Sequence, residues 1–145
     1  MRLLFDTSSL VAAFVEAHPA HSAAWNWLEQ ALEGIHTGLV STHTLAELYA
    51  VLTRLPLRPS IPPATALKLI EENLHRFSSV ALSATDYRSV LKRLAKLGLS
   101  GGVVYDALIA QAALKARADG LVTLNPTHFQ RLGEEVAALV VVPES

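Results

Sequence analysis

Short runs of apolar residues alternate with longer segments of helical periodicity along most of the chain. The short runs show little polar alternation, which is typical of strands buried on both faces of a parallel sheet. Each run ends at a polar or turn-forming residue, so the pattern predicts five short strands. These strands are expected at residues 3–5, 39–40, 79–82, 121–124 and 138–142.

The segments between the strands carry apolar residues three and four positions apart, which predicts amphipathic helices. Prolines interrupt this pattern over residues 55–63, which form a connector between two helices. Strands that alternate with helices form βαβ units with right-handed crossovers, so the sequence predicts an α/β protein with a parallel sheet. The helices are expected at residues 10–15, 22–33, 43–54, 63–75, 83–97, 103–118 and 126–132.

Composition narrows the class of protein. The chain has 145 residues, 51% hydrophobic and 17% charged, which is typical of one globular domain, here residues 1–145. It has no cysteine, which excludes disulfides, a thiol nucleophile and thiolate metal sites. The net charge of −1 excludes a basic field over the whole surface, so nucleic acid has to be bound by a local patch or through metal ions. No apolar run reaches the roughly 18 residues of a membrane span, and no leader-type segment comes before the first strand, so we expect a cytoplasmic protein without membrane contact.

Asp6 lies where the first predicted strand passes into the first helix. In an open parallel sheet, the crevice outside the carboxyl ends of the strands is where ligands bind. Thr7 and Ser8 follow directly and offer hydroxyl groups at the same place. Alternatively, Asp6 only ends the strand or stabilises the helix N-terminus, and its position alone does not distinguish the two interpretations.

Two further acids lie in apolar helices. Asp106 belongs to the most apolar predicted helix, where an isolated carboxylate is costly unless it is protonated, paired or bound to a metal ion. Its alternative is an exposed acid near the helix start. Glu47 either completes a capping box with Thr44 or, if Ser41 or Thr42 caps the helix instead, has no capping role.

The three acids are expected at one edge of the sheet. Asp6 ends the first strand, Glu47 follows the second strand, and Asp106 lies in the first turns of the helix that leads to the fourth strand. Three converging carboxylates repel one another, so such a site requires a cation. Oxygen ligands select hard metal ions such as Mg²⁺ or Mn²⁺, which support phosphoryl transfer.

These acidic segments, in this order and at this chain length, resemble the motifs of PIN-domain ribonucleases, and most closely those of VapC-type toxins of bacterial toxin–antitoxin pairs. The resemblance implies a three-layer α/β/α sandwich with a central parallel sheet and cleavage of RNA with Mg²⁺ or Mn²⁺. It also implies a homodimer and a small antitoxin protein whose peptide occupies the active-site groove. The matching segments are Asp-Thr-Ser at 6–8, Leu-Ala-Glu-Leu-Tyr at 45–49, Tyr-Asp-Ala-Leu-Ile-Ala at 105–110 and Leu-Val-Thr-Leu-Asn at 121–125.

The resemblance also implies roles for individual residues. Asp6 and Asp106 would be the principal metal ligands, and Glu47 would complete the catalytic pocket as a ligand directly or through water. Thr7 or Ser8 would hydrogen-bond the metal-associated water or the scissile phosphate.

The chain departs from the family pattern after its fourth strand. Asn125 stands where many members have a fourth acid, and His128 occupies another position that is often acidic. The Asn125 carbonyl would orient water or substrate but supplies no charge, which weakens the case for a second metal ion. Two alternatives therefore stay open. One is a PIN-like binding module without catalysis, and the other is a different phosphoryl-transfer hydrolase such as a phosphatase, although no second aspartate lies two residues after Asp6.

Overall fold

Five parallel strands form the central sheet, as the alternating pattern predicts. The computed structural model describes residues 1–144, and each expected strand is present there with its ends moved by at most two residues. The strands are β1 Arg2–Phe5, β2 Thr37–Ser41, β3 Ser78–Val80, β4 Gly120–Val122 and β5 Val140–Val141. They pair in the order β3-β2-β1-β4-β5, and every pair is parallel.

Seven of the helices correspond to the predicted ones. The eighth, α8, was not expected, because a helix of four residues is too short to show a periodic pattern. None of the helices in residues 1–144 is long and apolar enough to cross a membrane. Their bounds are α1 Thr7–Phe14, α2 His21–Leu32, α3 Thr42–Arg54, α4 Pro63–Leu74, α5 Ala84–Leu97, α6 Val103–Lys115, α7 Pro126–Gln130 and α8 Glu134–Ala137.

Helices cover both faces of the sheet, so the three-layer α/β/α sandwich is confirmed. Side chains alternate between the faces along β1, as the pleat of a strand requires. Leu3 and Phe5 pack into a core with helices α1 to α4, whereas Leu4 packs into a second core with α5, α6, α7 and α8. All three side chains are at most 1% exposed, and burial of such side chains stabilises a fold by about 1.5–3 kcal/mol each.

The order of the strands positions the candidate site. Because β1 lies between β2 and β4, the carboxyl ends of these three strands are neighbours, and Phe5 at the end of β1 is in register with Val122 at the end of β4. Asp6 directly follows β1, Thr123 directly follows β4, and α3 begins directly after β2. The expectation that the polar ends of these strands meet at one edge of the sheet is therefore confirmed.

The backbone of β2 passes close to an aromatic ring at Gly38. A Cβ atom at this position would lie 2.6 Å from Cε1 of Phe77. The Phe77 ring in turn packs edge-on against Phe5, with ring centroids 5.4 Å apart. The absence of a side chain at Gly38 therefore makes room for this aromatic pair.

Candidate active site

A cleft of about 540 Å³ opens at the carboxyl edge of the sheet. All six residues that the sequence singles out as site residues line it. Further lining residues come from α1, α3, α6, the segment after β4, and His18 in the connection between α1 and α2, so five parts of the chain build the cleft. The six predicted residues are Asp6, Thr7, Ser8, Glu47, Asp106 and Asn125.

Asp6 is buried at the bottom of this arrangement, with 3% of its surface exposed. Its side chain caps α1 by accepting a hydrogen bond of 2.8 Å from the Ser9 backbone N–H, so the capping alternative is correct as a structural role. Thr123 donates a further hydrogen bond of 2.6 Å to Oδ2. Burial raises the pKa of the Asp6 carboxyl, and the hydrogen bonds from Thr123, Ser9 and Ser8 oppose this rise.

Two hydroxyl groups connect the start of α1 to the end of β4. The Ser8 hydroxyl lies 2.8 and 2.9 Å from the two carboxylate oxygens of Asp6, and it accepts a hydrogen bond of 3.0 Å from the Leu124 backbone N–H. Thr123 likewise accepts a hydrogen bond of 2.9 Å from the Asn125 backbone N–H. The Asp6 carboxylate is therefore held from α1 and from the end of β4. Thr123 was not among the predicted site residues, and the only signal for it is a hydroxyl at the end of an apolar run.

Glu47 projects into the cleft from α3. Ser41 caps this helix by accepting a hydrogen bond from the Thr44 backbone N–H, so a capping box between Thr44 and Glu47 is not formed. The Thr7 hydroxyl instead donates a hydrogen bond of 2.7 Å to Oε1 of Glu47. His43, one turn before Glu47, places Nε2 3.3 Å from the same oxygen, without the alignment of a hydrogen bond.

Asp106 lies in the first turn of α6, and its side chain is 26% exposed. His128 on α7 places Nδ1 3.6 Å from Oδ2 of Asp106. Burial raises the pKa of the Asp106 carboxyl, the nearby charge of Glu47 adds to this rise, and His128 and Arg131 oppose it. Both interpretations of Asp106 hold in part, because it is an acid near a helix start and yet only partly solvated.

The donor chemistry of the cleft fits a hard divalent cation, since it consists of carboxylate and hydroxyl oxygens. The raised pKa values of Asp6 and Asp106 show that negative charge here is disfavoured by burial, and for Asp106 by Glu47 as well. Each acid contacts a different partner, however: Thr123 for Asp6, Thr7 for Glu47 and His128 for Asp106. Within residues 1–144, no group of three or more histidine and acidic side chains is arranged to hold a metal ion. Joint binding of one ion by the three acids therefore requires a change in side-chain conformation.

An aromatic pair lies beside the acids. The rings of His43 and Tyr105 are stacked with their centroids 5.3 Å apart and their planes 2° from parallel. Tyr105 lines the cleft and is 52% exposed. This contact joins α3 to α6, the two helices that carry Glu47 and Asp106.

Known proteins share both the sequence and the architecture of this chain. The family model described as "PIN domain" matches residues 3–135. Ribonuclease VapC27 of Mycobacterium tuberculosis is 40% identical over 121 residues, which cover 81% of this chain and 80% of that protein. Ribonuclease VapC40 of the same species is 37% identical over 113 residues, which cover 78% of this chain and 79% of that protein.

A solved structure extends the likeness to the whole fold. The crystal structure of VapBC2 from Rickettsia felis, bound to a DNA fragment from its promoter, includes a chain that aligns with a TM-score of 0.71. That alignment covers 99% of this chain and 100% of the other, at 25% sequence identity. The central parallel sheet with helices on both faces thus matches the fold of a chain in this VapBC2 structure.

Proposed function

Since this chain belongs to the PIN-domain family, and to the VapC ribonucleases within it, we infer that it cleaves RNA phosphodiester bonds as the toxin of a toxin–antitoxin pair. The matched region, residues 3–135, contains the complete candidate site. The observation that carries the proposal is that Asp6, Glu47 and Asp106, from three separate elements, line one cleft at the carboxyl edge of the sheet.

Nucleases of this family depend on a metal ion in general, and we propose Mg²⁺ or Mn²⁺ for this chain. Asp6, Glu47 and Asp106 would hold the ion through their carboxylate oxygens, which are the ligands that these ions prefer. When bound, such an ion supplies positive charge that offsets the acids and polarises the scissile phosphate. Asn125 lines the cleft without a charge of its own, so the proposal is for one ion.

The chain's own residues prepare the site for this chemistry. Asp6 is fixed by the helix cap and by Thr123, so its carboxylate is the rigid part of the metal site. Thr7 holds Oε1 of Glu47, and Ser8 contacts Asp6. We therefore assign Thr7 and Ser8 to orientation of the acids, in addition to the direct substrate contact that the resemblance implies.

A small antitoxin protein is the proposed partner. The structural neighbour described above is a VapBC2 assembly, which supports an antitoxin for this chain as well. We propose that a peptide of the antitoxin occupies the cleft and competes with RNA, and that the toxin acts as a homodimer. Because the proposed substrate is RNA, we also propose that the protein acts in the cytoplasm.

A PIN-like binding module without catalysis is the second candidate function. Two observations favour it. Asn125 replaces an acid, and no ready-made group of three metal ligands exists in the part of the chain that the structure describes. Calorimetric titration with Mg²⁺ and Mn²⁺ near neutral pH distinguishes the candidates, because the binding module takes up neither ion.

RNA cleavage tests the main proposal directly. Purified protein is incubated with total RNA and Mg²⁺, Mn²⁺ or EDTA, and the products are resolved on a denaturing gel. We expect cleavage with either ion, none with EDTA, and none from the Asp106→Asn variant. Asp119→Asn is the matched control, because Asp119 accepts a hydrogen bond from the Arg2 backbone at the opposite edge of the sheet. Equal cleavage by the parent and Asp106→Asn proteins contradicts the proposed mechanism.

A further inference from the structure

Tyr105 is an exposed aromatic ring on a helix that is otherwise largely buried. Seven of the thirteen residues of α6 are buried, yet the side chain directly before Asp106 is 52% exposed and lines the cleft. A large ring left in solvent beside the acids has no role in the core. Its position suggests that it contacts something that enters the cleft.

One face of this ring is already supported. His43 stacks on Tyr105 with nearly parallel planes, and the His43 ring lies on α3 one turn before Glu47. A ring that is backed in this way is preorganised, since less side-chain freedom is lost when a ligand stacks on it. The stacked pair also fixes the Tyr105 ring near two acids, since His43 is on the same helix as Glu47 and Tyr105 is next to Asp106 in the chain.

The charge of the cleft favours an uncharged contact with RNA. Among the described residues that line it, three are acids and none is a lysine or arginine. Sequence-independent affinity for nucleic acid normally comes from basic side chains on the phosphates. Here the acids repel phosphates, and a net charge of −1 gives no compensating attraction over the whole surface. Besides the proposed metal ion, contacts to the bases are a source of affinity that this lining offers, and single-stranded RNA is bound in this way by stacking on aromatic side chains.

We propose that Tyr105 is the platform on which one unpaired nucleobase of the RNA stacks, next to the phosphate that is cleaved. The inference rests on the proposed function, because it assumes that RNA enters this cleft. A base and its phosphate are separated by one ribose, so a base on Tyr105 holds the neighbouring phosphate close to Asp106. Stacking tolerates any base, and Tyr105 therefore contributes affinity and register more than sequence choice.

Binding of RNA by aromatic and non-aromatic variants tests this inference. All proteins carry Asp106→Asn so that the RNA stays intact, and the probe is a short fluorescein-labelled single-stranded RNA of random sequence in Mg²⁺ buffer. Tyr105→Leu is expected to raise the Kd by about 5- to 100-fold, as loss of one stacked base does, whereas Tyr105→Phe retains the parent Kd. Tyr87→Leu is the matched control, because Tyr87 is 45% exposed on α5 and outside the cleft.

A base-free oligonucleotide of the same length separates stacking from backbone contacts. The parent is expected to bind it weakly, and Tyr105→Leu to bind it equally weakly. Tyr105→Ala is a second non-aromatic variant, and thermal melting checks that each protein is folded. The inference is overturned if Tyr105→Leu and Tyr105→Ala bind RNA as tightly as the parent, if they lose affinity for the base-free chain as well, or if the parent binds no RNA.

Failure of the inference and failure of the proposed function are distinguishable. Binding that depends on Tyr105 in a protein whose intact form cleaves no RNA upholds the platform and overturns the ribonuclease. Cleavage by the protein without Asp106→Asn, together with RNA binding that does not depend on Tyr105, upholds the ribonuclease and overturns the platform.

Discussion

The Thr7 hydroxyl donates a hydrogen bond of 2.7 Å to Oε1 of Glu47 and so connects the start of α1 to the second turn of α3. Thr7 belongs to the segment that follows Asp6, and Glu47 lies 40 residues later in the chain. The contact therefore joins two of the three acidic segments of the candidate site before any ligand is present.

Removal of this hydroxyl is expected to slow RNA cleavage. Thr7→Val keeps the shape of the side chain but leaves Glu47 without its donor, and a hydrogen bond to a charged group contributes about 1.5–3 kcal/mol. A loss of part of this orientation predicts a fall in kcat of about tenfold, whereas Thr7→Ser retains most of the rate. Single-turnover cleavage of a labelled RNA measures both. Equal rates for the valine and serine variants show that Thr7 does not orient Glu47.

Asp6 is expected to separate stability from activity. Asp6→Asn still caps α1, because asparagine is as good a capping residue as aspartate, but it lacks the charge for a metal ion. Asp6→Ala loses the cap at a cost of about 1 kcal/mol. Both substitutions remove the Oδ2 acceptor of the buried Thr123 hydroxyl, which costs each variant about 1–3 kcal/mol. Urea unfolding and RNA cleavage are measured on the same preparations. Both variants are expected to be inactive and the alanine variant to be the less stable of the two by the value of the cap. An active Asp6→Asn protein excludes a role for the carboxylate charge.

Metal binding is expected to raise the melting temperature. An ion that binds only the folded state stabilises it by about 2.7 kcal/mol at a concentration of 100 times its Kd. Mg²⁺ or Mn²⁺ is titrated into the parent protein, into Glu47→Gln and into Asp106→Asn, with NaCl at matched ionic strength as the control. The rise is expected in the parent and is reduced in both variants. A parent protein whose melting temperature follows only ionic strength does not carry the proposed site.

Acid is expected to remove the contribution of the Asp86 carboxylate to the free energy of unfolding. Lys115 lies 2.7 Å from this carboxylate, and its hydrogen bond, together with that from the Ser83 backbone N–H, holds the pKa of Asp86 below the ordinary value of 3.8. Because the folded-state pKa is lowered, the stabilisation is present above pH 3.8 and is lost as the pH falls through the lower folded-state value. The difference in unfolding free energy between the parent and Asp86→Asn is therefore expected at pH 7 and vanishes in strong acid. A difference that stays constant from pH 7 to pH 2 contradicts the charged pairing.

A methyl group at position 38 is expected to destabilise the fold. Gly38→Ala forces the Phe77 ring to move, but that ring is packed against Phe5, and overpacking of this kind costs about 1–3 kcal/mol. Gly102→Ala is the control for stability, because no heavy atom lies within 4 Å of the added Cβ. Chemical unfolding compares the two, and similar stabilities mean that Phe77 moves freely.

The architecture and the meeting point of the acids followed from local patterns. Short apolar runs ending in Asp6 and Ser41 predict parallel strands, and the carboxyl ends of parallel strands share an edge whatever their order. The placement of Glu47 and Asp106 in the turns after or before these strands then brought them to the same cleft. Their roles as metal ligands stay predictions.

Other features of the site depend on packing that no local pattern reports. Thr123 reads as one more residue of an apolar run, and its hydrogen bond to Asp6 exists only because β1 and β4 are neighbours. His43 and Tyr105 lie on separate helices, so their stacking follows from the docking of α3 against α6. The direction in which each carboxylate turns likewise depends on partners from distant segments, as with His128 and Asp106.

Asp6 both caps α1 and is a proposed metal ligand, and this combination affects which mutations inactivate such a toxin. A substitution at Asp6 by a residue that does not cap helices is expected to lower both the free energy of unfolding and the RNA-cleaving activity. The less stable protein is then expected to be degraded in the cell. Neither Glu47 nor Asp106 caps a helix, so loss of either is expected to leave a well-folded protein. Cultures selected for survival under toxin expression should therefore accumulate harmless full-length alleles at Glu47 and Asp106, and low-abundance alleles at Asp6.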